Sequence, residues 1–419
     1  MIKMHKFAVL VNKGLEKVAV EQIRNIIGAK KVDVEDSIVM FECEDEKAFS
    51  FIYRSQIALR VLLLIQKVEI KQADGNAGSD VIDTYEFLSD GFIELLKKDL
   101  DMTFLKELHA NGVKEFRAKV DADIQMDVTE IERNIGGIVL SQLDFNVNLK
   151  NPEIILYTYV RNDAAYIGVD ISGDLSKRDY RVFNNAVSIK GTTAFGLLML
   201  SGYDTDTSYL NPFCYSGTME IEAALYSCNK PHRFYNKAFP FMKLFQTTND
   251  SWDRFFEKID SKIKIKPYKI TGSDILLSSI TAAVKNAKIA GVEECIDFKR
   301  LDMDWLDVKF EKKSFDKIIT FMPGSSKHKD MKKVFKEFFY QAEYILKDDG
   351  VFAIMCLTKD LLMDASREHF ELDKELGVES GSQLLYVLFF KKKLDTDKTP
   401  GTDKKSTKDK SDSDGVETQ

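Results

Sequence analysis

The sequence predicts an α/β fold: two small α+β units followed by a doubly wound, mainly parallel sheet. Three observations lead there. Apolar residues recur at strand and helix periods through the first 170 residues, a polar Gly-bearing segment divides that stretch, and strands alternate with helices from Lys190 onward.

In the first unit, residues 1–70, Phe7 to Val11 reads as a strand. Leu15, Val18, Ala19, Ile23, Ile26 and Ile27 then recur at helical spacing, and Gly28 is placed to end that helix. Two short strands flank the Glu35-Asp36-Ser37 turn, a helix ends near Ala58, and the apolar run to Ile65 is a buried strand. Residues 71–80 (KQADGNAGSD) read as a linker opening the second unit, 71–170. That unit holds strands at Phe116–Val120 and Ile154–Val160 and a helix around Glu130–Leu140. A connector is expected at 171–189. The third unit, 190–392, carries strands at Tyr209–Phe213, Tyr268–Thr271, Ile296–Leu301, Phe315–Thr320, Val351–Leu357 and Leu384–Phe390. Between them run helical stripes such as Ile221, Ala224, Leu225 and Cys228, read as core packing. Residues 393–419 are Lys, Asp, Ser and Thr with almost no apolar side chain, so they cannot offset their chain entropy and are expected to be a disordered tail.

Composition narrows the function classes. With 419 residues, 44% hydrophobic and 30% charged, the chain has room for two or three ordinary globular domains. Its five cysteines include no C-x-x-C pair, which argues against a structural metal site and a disulfide framework; a reducing, cytoplasmic setting is expected. The most apolar run, Val61 to Ile65, is far too short to span a membrane. A net charge of −7 gives no global footprint for nucleic acid, so any RNA contact must rest on local patches.

The strongest local signal is Asn211-Pro-Phe-Cys-Tyr-Ser-Gly217-Thr-Met-Glu-Ile-Glu-Ala-Ala224: a strand ends, a tight Gly-bearing loop follows and a helix begins. In doubly wound sheets ligands bind at that point, and helix N-terminal amides favour a carboxylate or phosphate. Asp274 ends the next strand, where an acid can accept both ribose hydroxyls; Asp302 ends the third, where an acid can accept from an adenine amine. Alone, either acid reads as a helix cap or a solvated loop residue. Together with the loop they point to an adenosine cofactor.

These residues resemble the THUMP-domain RNA methyltransferases that modify the N2 amine of guanosine. Asn211 to Ala224 is similar to that family's D-P-x-C-G-S-G-T-x-x-I-E-A-A signature. Ser172 to Arg181 resembles its S-G-x-x-L-H-K-R-G-Y-R motif with one residue fewer, and FNVNLKNP (145–152) and Ala165 to Asp170 resemble strands of its THUMP module. Arg54 to Leu64 looks like its N-terminal ferredoxin-like unit. The resemblance implies a Rossmann-like methyltransferase domain using S-adenosylmethionine (SAM), preceded by an α+β ferredoxin-like plus THUMP module that grips structured RNA, tRNA favoured and 23S rRNA possible. Asn211, Pro212, Cys214, Ser216, Gly217, Asp274 and Asp302 would then serve the cofactor. Lys114, Arg117, Lys119, Arg133, Lys177, Arg178 and Arg181 are the candidate phosphate contacts, with Tyr180 packing or stacking beside them; singly, each cation also reads as a solvated surface charge.

Two places depart from the pattern. The family ends its fourth strand in Asn-Pro-Pro-Tyr or Phe, which accepts the two amine protons of the base and stacks on it. The matching catalytic positions here are Phe321, Met322, Pro323 and Gly324. In the cofactor loop the leading acid is Asn211 and the first glycine is Tyr215, whose side chain would crowd the cofactor unless the loop reorganises. Two functions are therefore expected: a guanosine-N2 methyltransferase with a variant site, or a catalytically inactive member acting as an RNA-binding or partner protein.

Overall fold

The computed structural model describes residues 4–70, 91–123, 126–185, 187–245, 249–322 and 331–393. The expected linker at 71–80, the positions Pro323 and Gly324, and the tail from 394 lie outside them. The first unit runs β1 (Met4–Leu10), α1 (Glu16–Ile27), β2 (Val32–Glu35), β3 (Ile38–Glu44), α2 (Asp45–Arg54) and β4 (Arg60–Glu69). Gly28 ends α1 in the left-handed region at φ 68°, donating to the Arg24 carbonyl. The second comprises α3 (91–99), α4 (Thr103–Ala110), β5 (Glu115–Ala122), α5 (Val128–Gln142), β6 (Asn146–Val147), β7 (Ile154–Arg161) and β8 (Ala164–Asp170).

These two units share one sheet. Its eight strands lie in the order β2-β3-β1-β4-β8-β7-β5-β6, joined by antiparallel pairing of β4 with β8 from Leu62↔Asp170 to Glu69↔Ala164. Every residue of β8 is buried, the burial of a central strand that needs a partner on each edge.

Residues 171–189 contain neither helix nor strand among those described. The last unit then follows as α6 (Gly191–Leu200), β9 (Tyr209–Asn211), α7 (Thr218–Ser227), α8 (Phe241–Leu244), α9 (Asn249–Asp260), β10 (Ile270–Asp274), α10 (Leu277–Ala290), β11 (Asp297–Arg300), α11 (Leu306–Lys309), β12 (Phe315–Met322), α12 (Met331–Ile345), β13 (Leu346–Cys356), α13 (Asp360–Ser366), β14 (Phe370–Ser380) and β15 (Gln383–Lys392). The sheet order is β11-β10-β9-β12-β13-β15-β14. The first five strands are parallel; β15 is antiparallel to both neighbours. The chain leaves β9 towards β10 on one side and later returns as β12 on the other. The carboxyl end of β9 is therefore the switch point where such sheets open a crevice.

The halves have separate sheets but an unbroken core. Phe49 of α2 stacks on Phe241 with ring centroids 4.4 Å apart, and Tyr53 donates to Asp260 at 2.8 Å. Gly14, at φ 90°, lies so close to the last hairpin that an added Cβ would sit 2.2 Å from the Gly377 carbonyl oxygen. Among the described residues no helix is long and apolar enough to cross a membrane.

Candidate active site

The loop from Asn211 to Gly217 sits at that switch point and is fixed by its own backbone. Cys214 N donates to Ser273 O at 2.9 Å, stitching the loop to β10, and Gly217 N donates to Cys214 O at 2.8 Å. Gly217 opens α7 at φ 79°, with a virtual Cβ 2.9 Å from that of Ala283, so only glycine passes. Asn211 accepts from Phe213 N at 3.1 Å. Asn286, which the sequence did not single out, donates to Ser216 O at 3.0 Å and Phe183 O at 2.9 Å, tying connector and loop to α10.

Of the two strand-end acids, Asp274 lies directly beside the loop. Asp274 accepts from Leu276 N at 2.9 Å and Tyr215 N at 3.2 Å; burial pushes its carboxyl up while those amides pull against the shift. Leu301 N donates to Asp274 O at 3.1 Å, so Asp302 begins one residue beyond on the adjacent strand. The Asp302 carboxylate caps a short turn through Asp304 N at 3.2 Å and keeps acceptor capacity to spare.

The donor set suits an adenosine cofactor, but the space does not yet. Tyr215 is held at φ 48°, unusual for a residue with a side chain, and it lines a small cavity together with Ile189, Phe213, Met219 and Phe321. The remaining cavity is about 10 Å³, enough for roughly one water. At the fourth strand end, Phe321 and Met322 are 7% and 6% exposed and still pair in the sheet with Met355 and Cys356. Phe321 is thus part of the cleft wall and offers no hydrogen-bond acceptor to a base.

Among the candidate phosphate contacts, Arg178 needs correction. Its side chain is fully buried: Nε donates to Glu222 at 2.6 Å, Nη1 to Leu175 O at 2.6 Å and Nη2 to Gln56 O at 2.7 Å. Tyr180 and Gln56 also donate to Glu222, each at 2.7 Å, so Tyr180 packs and does not stack. The knot joins the first unit, the connector and α7, and it is structural. Lys114, Arg133 and Lys177 are exposed. Arg117 donates to Leu149 O at 3.2 Å, Arg181 to Ser188, and Lys119 lies 5.5 Å from the Tyr157 ring. Lys119 also lines a groove of about 910 Å³ between the first sheet and the β14–β15 turn, together with Arg60, Arg161 and Lys190 but also with Asp121, Asp123, Asp174 and Glu379, so its charge is mixed. Among the described residues no group of three or more His, Cys, Asp or Glu could hold a metal ion.

Two family models match the chain: the RMKL-like methyltransferase domain over residues 178–383 and the THUMP domain over 113–170. A tRNA (guanine(6)-N2)-methyltransferase of Methanocaldococcus jannaschii is 29% identical over 400 residues, 91% of this chain and 99% of that one. A ribosomal RNA large subunit methyltransferase K/L of Buchnera aphidicola subsp. Schizaphis graminum is 26% identical, over 74% of this chain but 44% of that protein. The crystal structure of SMU.472, a putative methyltransferase complexed with SAH, superposes with a TM-score of 0.73 at 19% identity; it covers 94% of this chain and 100% of its own, a likeness of fold.

Proposed function

This chain is a SAM-dependent methyltransferase that joins a THUMP domain to an RMKL-like methyltransferase domain, and from that premise we propose that it methylates the N2 amine of a guanosine in structured RNA, tRNA above all. One observation carries the reading: likeness to the archaeal tRNA enzyme runs through nearly the full length of both chains. The ribosomal relative is more than twice as long as the stretch it shares, which favours tRNA over 23S rRNA. A protein with five unpaired thiols suits a reducing, cytoplasmic setting.

Each part of the site has a task in this reaction. Bound SAM supplies an electrophilic methyl group on a sulfonium. The amides at the start of α7 and the loop 211–217 hold its amino-acid end, Asp274 accepts from its ribose hydroxyls, and Asp302 accepts from its adenine amine. Exposed Lys114, Arg133 and Lys177, with half-buried Lys119, meet phosphates, which positions the RNA without reading its sequence. Phe321 cannot accept the amine protons of guanine, so orientation of the base falls to other groups, and slow transfer is expected. Transfer of labelled methyl to unmodified tRNA, with the product nucleoside identified, tests the reading.

A further inference from the structure

Beneath the cofactor loop lies an acid with no partner. Glu220, in the first turn of α7, is 0% exposed, and neither carboxyl oxygen has a hydrogen-bond partner among the described residues. Its stem is pressed against β10, where a Cβ on Gly272 would lie 2.9 Å from Glu220 Cγ. From β9, Asn211 and Tyr209 lie close enough to the carboxyl to favour its ionised form against burial, though neither completes a hydrogen bond of normal geometry, and the Tyr209 hydroxyl has no other partner among the described residues. Asp274 faces it from β10 and Cys214 from the loop; no cation is paired with it among the described residues. Fully buried unpaired acids are costly and rare, and they call for a reason.

The surroundings supply one. The residue that leads the loop, Asn211, is neutral, so the end of β9 brings no charge to the cleft. Asp274 is already engaged by two backbone amides, Tyr215 N of the loop and Leu276 N ahead of α10. We propose that Glu220 is the charge-compensating acid beneath the cofactor loop and that it gives up its proton to solvent when SAM binds. The proposal rests on the reading that the cleft takes SAM. SAM carries a sulfonium, an ammonium and a carboxylate, a net positive charge near neutral pH. Before binding, burial pushes the Glu220 carboxyl up to about 8, so it is neutral at pH 7. A cation brought close in a low-dielectric interior favours the ionised form. The carboxylic O–H bond breaks, the proton passes to buffer base, and the carboxylate that remains compensates the cofactor.

Calorimetry of SAM binding to the full chain, in buffers of different ionisation enthalpy, counts the protons. At pH 7 close to one proton should leave per SAM bound. Affinity should rise by up to about tenfold per pH unit as pH approaches about 8, then level off. Glu220→Gln should bind with no proton release and a flat pH profile. Wild-type binding without proton release overturns the proposal and leaves the functional reading intact, as does equal release from Glu220→Gln. Should that variant not fold, the wild-type proton count decides. No SAM binding by the wild type would overturn both.

Discussion

Tyr215 and Arg178 show how one side chain changes what a motif can do. Tyr215 lines the small cavity at the loop from a backbone conformation that costs on the order of 1 kcal/mol, and a side chain there takes space that a glycine would leave open. Tyr215→Gly should therefore tighten SAM binding by about tenfold, the equivalent of ~1.4 kcal/mol, while Tyr215→Phe leaves it unchanged. Titration of SAM against each variant checks this, and equal affinities for wild type and Tyr215→Gly would remove Tyr215 as the obstacle. Arg178 acts on stability. Arg178→Ala leaves Glu222 buried without its cation and should cost about 3–5 kcal/mol in urea unfolding. Arg181→Ala, on a half-buried side chain held by Ser188, should unfold like wild type and weaken RNA binding. The reverse pattern would restore Arg178 as a phosphate contact. The sequence could not reveal this, because a Lys-Arg pair in a polar connector has the look of surface, and its acid lies 44 residues away on another element.

At the scale of elements, what is local was legible and what is long-range was not. Gly28 and Gly291 end their helices at φ 68°, as their places after apolar stripes suggest, and the Asn211–Gly217 turn lies between a strand and a helix. By contrast β14 went unseen. Its sequence FELDKELGVES is an edge strand whose first half is crowded with charged, exposed residues, so the period-2 signal of a buried face is missing. The single eight-stranded sheet was equally hidden, since it depends on Leu62 meeting Asp170 across more than a hundred residues. The hairpin of β14 and β15 also braces the first unit through Gly14. Gly14→Ala should clash with the Gly377 carbonyl and force a side chain into φ 90°, costing roughly 2–4 kcal/mol. A melting curve like that of wild type would show that the two halves are not pressed together there.

The whole molecule combines a half that carries the THUMP domain and a half that carries the methyltransferase domain on one continuous core. The Gln56–Arg178–Tyr180–Glu222 knot lies between them, and the α7 that carries Glu222 also opens the cofactor site. The groove lined by Lys119 and Lys190 runs along the same boundary, and Ile189, next to Lys190, borders the cofactor cleft. The most direct test of that union is methyl transfer itself. The full chain is incubated with methyl-labelled SAM and unmodified tRNA or ribosomal RNA, and the RNA is then digested to nucleosides. The predicted result is N2-methylguanosine in tRNA, formed slowly, at least tenfold less with Asp274→Ala, which loses a charged acceptor worth about 1.5–3 kcal/mol. SAM and RNA both bound by the wild type, with no labelled guanosine from either RNA, would contradict it.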